Sequence, residues 1–269
     1  MPELAEVKLM TEFFNECSGS KEFRAIHKSP ESKVSTDLNL TPRDESGFLA
    51  TAYSRGKETI IVLKGLVSEE ERILNVTYGM SGHWRMVSHA SMVPKHSHLM
   101  FEAFNGNIIC LVDVRRFAKW KWVDGWSENR GPDPAFEFDD FVSNLRKNSY
   151  RKVFDKPICE ILMDQKYFNG IGNYLRAEIL DRANISPWTP AREAIESGRL
   201  LALCRIVPIE AYKIGGGSIK DWKNPYGEQQ MTMGQWLQCY GKKESTIDKT
   251  GRRIWFDKKY IKLIKSKLK

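Results

Sequence analysis

The chain contains no Cys-x-x-C pair, no charged-then-apolar leader, and no apolar run of the roughly 18 residues that a membrane-spanning helix needs. Its cysteines, Cys17, Cys110, Cys159, Cys204 and Cys239, are odd in number and widely scattered, so neither a disulfide framework nor a cysteine metal site is written in them. Repeats and low-complexity tracts are also missing. These absences argue against a secreted disulfide scaffold, a membrane protein and a repeat array, and an intracellular, reducing location is expected. What is present suits two packed domains: 269 residues, 41% hydrophobic and 11% aromatic, can fill a core in each. The balance of 42 Lys+Arg against 34 Asp+Glu leaves a net charge of +8, which favours an anionic partner, nucleic acid before membrane, over an uncommitted basic surface.

Two periodicities divide the sequence. Apolar residues at Val7, Met10, Phe13 and Phe14 have the spacing of a helix with one buried face, predicted over Val7 to Cys17. Short β-rich runs follow at 48–53, 59–63, 73–78, 98–104, 108–114 and 119–122, separated by turn signals such as Arg55-Gly56 and Asn105-Gly106. An antiparallel sandwich or flattened barrel is predicted. The stretch Gly131-Pro132-Asp133-Pro134 ends this pattern, and 138–145, 157–164, 173–183 and 192–213 then fit amphipathic helices. His96 and His98 have no cysteine or acidic partner at ligand spacing and are read as strand residues.

The chemistry begins at Met1-Pro2-Glu3. Removal of Met1, which the small residue behind it permits, leaves Pro2 with a free secondary amine. An α-amino group has a reference pKa near ~8, so a useful fraction is unprotonated at neutral pH. Such an amine can attack an aldehyde-like carbon, for instance C1′ of a damaged nucleotide, and form an iminium while Glu3 moves protons. Taken alone, this is also an ordinary chain start. Later, Gln165-Lys166-Tyr167-Phe168-Asn169-Gly170-Ile171-Gly172-Asn173 joins two helical runs. Its glycines let the backbone approach a ligand, Asn173 is a good N-cap, and free amides beside Lys166 suit a phosphate; a plain helix hairpin is the alternative.

Pro2-Glu3, Asp113-Val114-Arg115-Arg116-Phe117 and the stretch from Asp164 to Tyr174 together resemble the formamidopyrimidine-DNA glycosylase and endonuclease VIII family, essentially end to end. Ala5 departs from it, standing where the family usually has a second proline. The resemblance implies an α+β protein: an N-terminal antiparallel β-sandwich with an N-terminal helix over residues 1–131, a helical domain with a helix-two-turn-helix clamp over 132–239, and a finger with a basic tail over 240–269. It makes Pro2 the Schiff-base nucleophile, Glu3 the general acid, Glu6 an acidic residue of the same motif and Lys57 a phosphate-holding lysine. Lys166, Gly172 and Asn173 become DNA-binding residues of the clamp, and Glu178 a buried brace of the clamp helix. Met80, Arg115 and Phe117 become the side chains that fill the gap left by a flipped base. Read without the resemblance, Lys57 is a solvated turn residue, Met80 a core residue and Arg115 a partner of Asp113.

Most bacterial relatives end in a zinc finger built from two cysteine pairs. Here Asp257 and Tyr260 stand where the last pair would be, so no metal and no cofactor is expected, and the likeness is to endonuclease VIII-like enzymes with a zincless finger. A hairpin with Trp255 and Phe256 packed inward is expected to present Arg252 to phosphates. The basic stretch 258–269 is either a packed terminal helix or a solvated tail. The short polar stretch from Gly215 to Met233 takes the place of the lesion-recognition loop, favouring oxidised pyrimidines and hydantoin or ring-opened purines. The expected protein is a monomeric bifunctional glycosylase and abasic-site lyase acting by β,δ-elimination on damaged double- or single-stranded DNA, in a nucleus or nucleoid. A noncatalytic binder of damaged DNA is the alternative, and a structured-RNA binder would not explain the terminal proline.

Overall fold

The computed structural model describes residues 2–36, 38, 46–217 and 231–261. In chain order these form α1 (Leu4–Ser18), β1 (Phe23–Lys28), β2 (Phe48–Arg55), β3 (Glu58–Gly65), β4 (Glu71–Thr77), β5 (His83–Val87), β6 (Ser97–Ala103), β7 (Ile108–Val112) and β8 (Lys119–Val123). Then come α2 (Phe138–Asn148), α3 (Ile158–Ile161), α4 (Asn173–Ala183), α5 (Ala191–Ala194), α6 (Gly198–Lys213), α7 (Met233–Trp236), β9 (Glu244–Ile247) and β10 (Arg253–Phe256). Among the described residues two compact units result: Pro2, those within 6–127 and Gly217 form one, and 3–5, 128–216 and 231–261 the other.

In the first unit the eight strands follow the order β5-β7-β6-β1-β2-β3-β4-β8, with every pairing antiparallel. Alternation on β2 sends Phe48, Ala50 and Ala52 inward, as period two requires. β1 meets β2 only at Phe23↔Phe48, while it follows β6 from Phe23 to Lys28, with a register shift after Phe23. The strip therefore bends at β1 into two four-stranded halves, which is the predicted sandwich. Phe14 of α1 fills it, its ring 5.0 Å from Trp84 and 5.3 Å from Phe101. A buried polar chain crosses the same core: Trp84 Nε1 donates to the Tyr78 hydroxyl, which donates to Thr59 Oγ1, itself 3.0 Å from Thr11 Oγ1. The six predicted β runs fold as strands; β1 and β5 were not anticipated. β5 lies at the sheet edge with Arg85 and Met86 exposed, and most of β1 is only partly covered, so neither alternates cleanly.

The second unit is organised around α4, whose residues from Tyr174 to Leu180 are all buried. The predicted helix from Arg192 to Lys213 is broken: α5 ends at Ala194 and α6 restarts at Gly198. The first piece is held back by its own start, where the Ala191 amide bonds to the Lys156 carbonyl beside a Pro157↔Pro190 bridge. In the β9–β10 hairpin Ile254 and Phe256 are buried and Trp255 lies on the opposite face, half-buried against the Tyr240 ring at 4.2 Å. Adjacent strand residues cannot both point inward, which corrects the expectation for Trp255 and Phe256. Glu178 is fully buried and accepts the amides of Gln238 (3.0 Å), Cys239 (2.8 Å) and Tyr240 (2.9 Å), so it braces that segment against α4. Glu178→Ala orphans those amides and is expected to cost about 3 kcal/mol of unfolding free energy in urea titrations; a loss below about 1 kcal/mol would show that the brace is dispensable.

Candidate catalytic residues and nucleic-acid interface

Pro2 is buried, and the residue after it is fixed by an unexpected partner. The Glu3 carboxylate accepts the amides of Gly172 (2.8 Å), Tyr174 (3.0 Å) and Leu175 (3.2 Å), and the Leu4 amide donates to the Gly170 carbonyl at 3.0 Å. The positive end of α4 is thus satisfied by a carboxylate from the start of the chain. This corrects the sequence reading twice. Gly172 is the N-cap, not Asn173, and three of the amides expected to be free for a phosphate, those of Gly172, Tyr174 and Leu175, are already engaged. Of the side chains on this turn, Lys166 is exposed, while Asn173 is half-buried with its Oδ1 turned inward and no hydrogen-bond partner among the described residues. The turn is stiffened from within, since Gln165 both donates to the Ile171 carbonyl (3.0 Å) and accepts the Gly170 amide (2.9 Å).

Of the remaining candidates in the first unit, Glu6 is buried in the first turn of α1 and accepts the Gly217 amide at 2.6 Å. It therefore anchors the start of the expected lesion-recognition stretch, whose residues 218–230 lie outside the described ones. Lys57 is half-buried in the β2–β3 turn, directly after Gly56 in a left-handed conformation at φ 57°.

Met80, Arg115 and Phe117 are brought together by two interlocked loops. Asp113, fully buried, accepts the amides of Arg115 (3.2 Å), Phe117 (2.7 Å) and Ala118 (2.7 Å), as well as the Ser81 hydroxyl. The Arg115 guanidinium does not lie against Asp113 as the alternative had it; its carbon sits 5.0 Å from the centroid of the Phe117 ring. Gly79, at φ 59°, touches the Phe117 backbone so closely that a Cβ would fall 2.6 Å from its carbonyl carbon. Met80 and Phe117 are left 38% and 49% exposed on these loops. His98 secures the base of the second loop, with Nε2 3.1 Å from the Asp113 carbonyl. His96 precedes β6 in a left-handed conformation, so only His98 is a strand residue.

Arg252 is exposed just after the tip of the β9–β10 hairpin. Asp248 closes the hairpin, and burial, which opposes ionisation, is outweighed by hydrogen bonds from Thr250 and Arg252 and by the Arg176 guanidinium, which hold its carboxyl below the usual aspartate value. The residues here do not fit a zinc ion. Among the described residues no group of three or more His, Cys, Asp or Glu is placed to hold a metal. The buried Cys239 thiol is pushed up to about 12 by burial and then by Asp181 and Glu178. Asp257 faces Lys243 at 3.8 Å and accepts the Lys259 amide.

Sequence reasoning missed Asp113, Ser81, Arg176 and Asp248 as organisers. Asp113 and Asp248 gather amides two to five residues ahead in their own loops, the local turn chemistry that an aspartate signals, whereas Ser81 and Arg176 act through partners that only the fold brings near.

Residues 1–120 match the family model described as the formamidopyrimidine-DNA glycosylase N-terminal domain. The chain is 35% identical to endonuclease 8-like 1 of Homo sapiens, over 95% of this chain and 72% of that protein. It is 30% identical to a formamidopyrimidine-DNA glycosylase of Streptococcus agalactiae over 90% of this chain and 89% of that one. Its fold superposes on the wild-type Lactococcus lactis Fpg (MutM) in complex with DNA containing an oxidised pyrimidine, with a TM-score of 0.76 at 22% identity, covering 95% and 98% of the two chains.

The interlocked loops predict opposite outcomes for neighbouring residues. Gly79→Ala must displace Phe117 and is expected to lower stability by about 2 kcal/mol, whereas Met80→Ala should stay within about 0.5 kcal/mol. Equal effects in urea denaturation would contradict the view that Met80 is displayed rather than packed.

Proposed function

Because the chain belongs to the formamidopyrimidine-DNA glycosylase and endonuclease VIII family, we propose that its activity, that of a DNA glycosylase and abasic-site lyase on oxidised bases, proceeds through Pro2. Loss of Met1 frees the secondary amine. Its nitrogen bonds to C1′ of the flipped nucleotide, the N-glycosidic bond breaks with its electron pair leaving on the base, and Glu3 supplies the proton that opens the sugar. The resulting iminium acidifies C2′; loss of that proton expels the 3′ phosphate, a second elimination expels the 5′ phosphate, and water releases Pro2. Glu6 serves beside them in the first turn of α1. Lys57 and Arg252 hold phosphates of the flipped nucleotide, and Lys166, Gly172 and Asn173 form the clamp on the flanking backbone, Gly172 by shaping the turn.

The observation that carries this reading is the tethering of the chain start. A Glu3 carboxylate held by three amides leaves the adjoining Pro2 little freedom, which is what a nucleophile needs. The display of Met80, Arg115 and Phe117 from fastened loops supports their role in the vacated stack, as thioether, guanidinium and ring respectively.

In domain terms, residues 1–131 supply the catalytic sandwich, 132–239 the clamp and 240–269 the finger with its basic tail. Oxidised pyrimidines and hydantoins are the preferred substrates. The protein works on DNA inside the cell, in the nucleus or nucleoid; no helix among the described residues is long and apolar enough to cross a membrane.

Borohydride added during turnover of an oxidised-base duplex is expected to trap a covalent protein–DNA adduct, and Pro2→Gly to reduce that yield at least tenfold. An adduct of undiminished yield in the variant refutes the assignment, and none with the wild type would leave a noncatalytic binder. Activity should also persist after dialysis against EDTA; loss restored by zinc would overturn the reading of the finger.

A further inference from the structure

The finger hairpin hangs from α4 by a buried ion pair. Arg176 and Asp248 approach to 2.7 Å with side chains 0% and 1% exposed. The guanidinium also donates to the carbonyls of Cys159 (2.8 Å) and Arg253 (3.1 Å), so its charge is shared between α3, the hairpin and the aspartate. The second oxygen of Asp248 gathers the hairpin tip: it accepts the Thr250 amide (2.9 Å), the Thr250 hydroxyl (2.7 Å) and the Arg252 amide (3.0 Å), while the Asp248 amide donates to the Arg252 carbonyl at 2.8 Å. One carboxylate therefore touches α4 through one oxygen and the backbone of Arg252 through the other.

Isolated two-stranded hairpins are marginal, and a pair of four-residue strands has little apolar area with which to fix its own orientation. Ile254 and Phe256 supply burial, yet burial is indifferent to small rotations that would swing an exposed arginine by several ångströms. A buried ion pair whose two partners are each held by further hydrogen bonds is directional, and breaking one side of it strands a buried charge.

We propose that Asp248 is the positioning residue for Arg252, and that the Arg176–Asp248 pair fixes the hairpin on α4, where the described residues include no set of metal ligands to do so. This rests on Arg252 being a phosphate contact, as set out above. The clamp helix and the finger arginine are then parts of one rigid piece, and loosening the pair costs DNA grip before it costs the chemistry.

The test measures the dissociation constant of a duplex carrying a reduced abasic site as a function of salt, for Asp248→Asn, Arg252→Ala, both together, and the double neutralisation Arg176→Met/Asp248→Asn, with thermal melts of each. Arg252→Ala should weaken binding about tenfold and reduce the slope of log affinity against log salt by about one. Asp248→Asn should do nearly the same, and adding it to Arg252→Ala should have no further effect on affinity. The double neutralisation removes both charges, so it should melt closer to the wild type than Asp248→Asn does, while still binding weakly; it also serves if Asp248→Asn alone fails to fold. Independent, multiplying losses from Asp248→Asn and Arg252→Ala would overturn the proposal, as would wild-type affinity and salt slope in the double neutralisation. If Arg252→Ala itself binds as the wild type does, the phosphate role of Arg252 fails and the positioning role falls with it. A proposal that fails while Arg252→Ala still weakens binding leaves that role intact.

Discussion

The Glu3 carboxylate at the start of α4 is the interaction on which the rest depends. A helix begins with amides that have no intrahelical acceptor, and a buried helix such as α4 cannot leave them to water. A carboxylate from the first residues of the chain fills that need, with three amides at 3.2 Å or less. The same contact serves both parties. The helix gains an anion at its positive end, and the terminal segment, which by itself would fray, gains a fixed address.

The device recurs. Asp113, Glu178 and Asp248 are each buried, and each gathers two or more backbone amides of one loop. A buried carboxylate without such donors would be prohibitively expensive, so each site pairs a costly charge with a loop whose amides would otherwise be orphaned. Three of the four loops carry a residue assigned to DNA: Asn173, Arg115 with Phe117, and Arg252. Exposed side chains are thereby held on stiff backbone, which lowers the ordering cost that phosphate and base contacts would otherwise carry.

Much of this could be read in the chain, for identifiable reasons. The limits of α4 were read correctly because its helical run stops at Asn184, which adopts the left-handed conformation that ends helices. The core strands were visible because β2 alternates and β3 is apolar along much of its length. What stayed hidden was tertiary in origin. β1 and β5 face partly outward; the break between α5 and α6 is set by contacts of residues 156–159 with 187–191; and Trp255 was misplaced because two aromatic neighbours were assigned to one strand face. Asn173 has the chemistry of an N-cap but lost the position to Gly172, since the capping oxygens come from Glu3, about 170 residues away in sequence. Motif resemblance located the displayed residues, but not the carboxylates that hold them.

The central claim is that the amine of Pro2 becomes bonded to the sugar. Tandem mass spectrometry of the terminal peptide from the borohydride-reduced complex tests it most directly. The account predicts a peptide that begins at Pro2 and carries the sugar remnant on its imino nitrogen. A remnant on Lys57 or another lysine, or an adduct-bearing peptide that retains Met1, would contradict it.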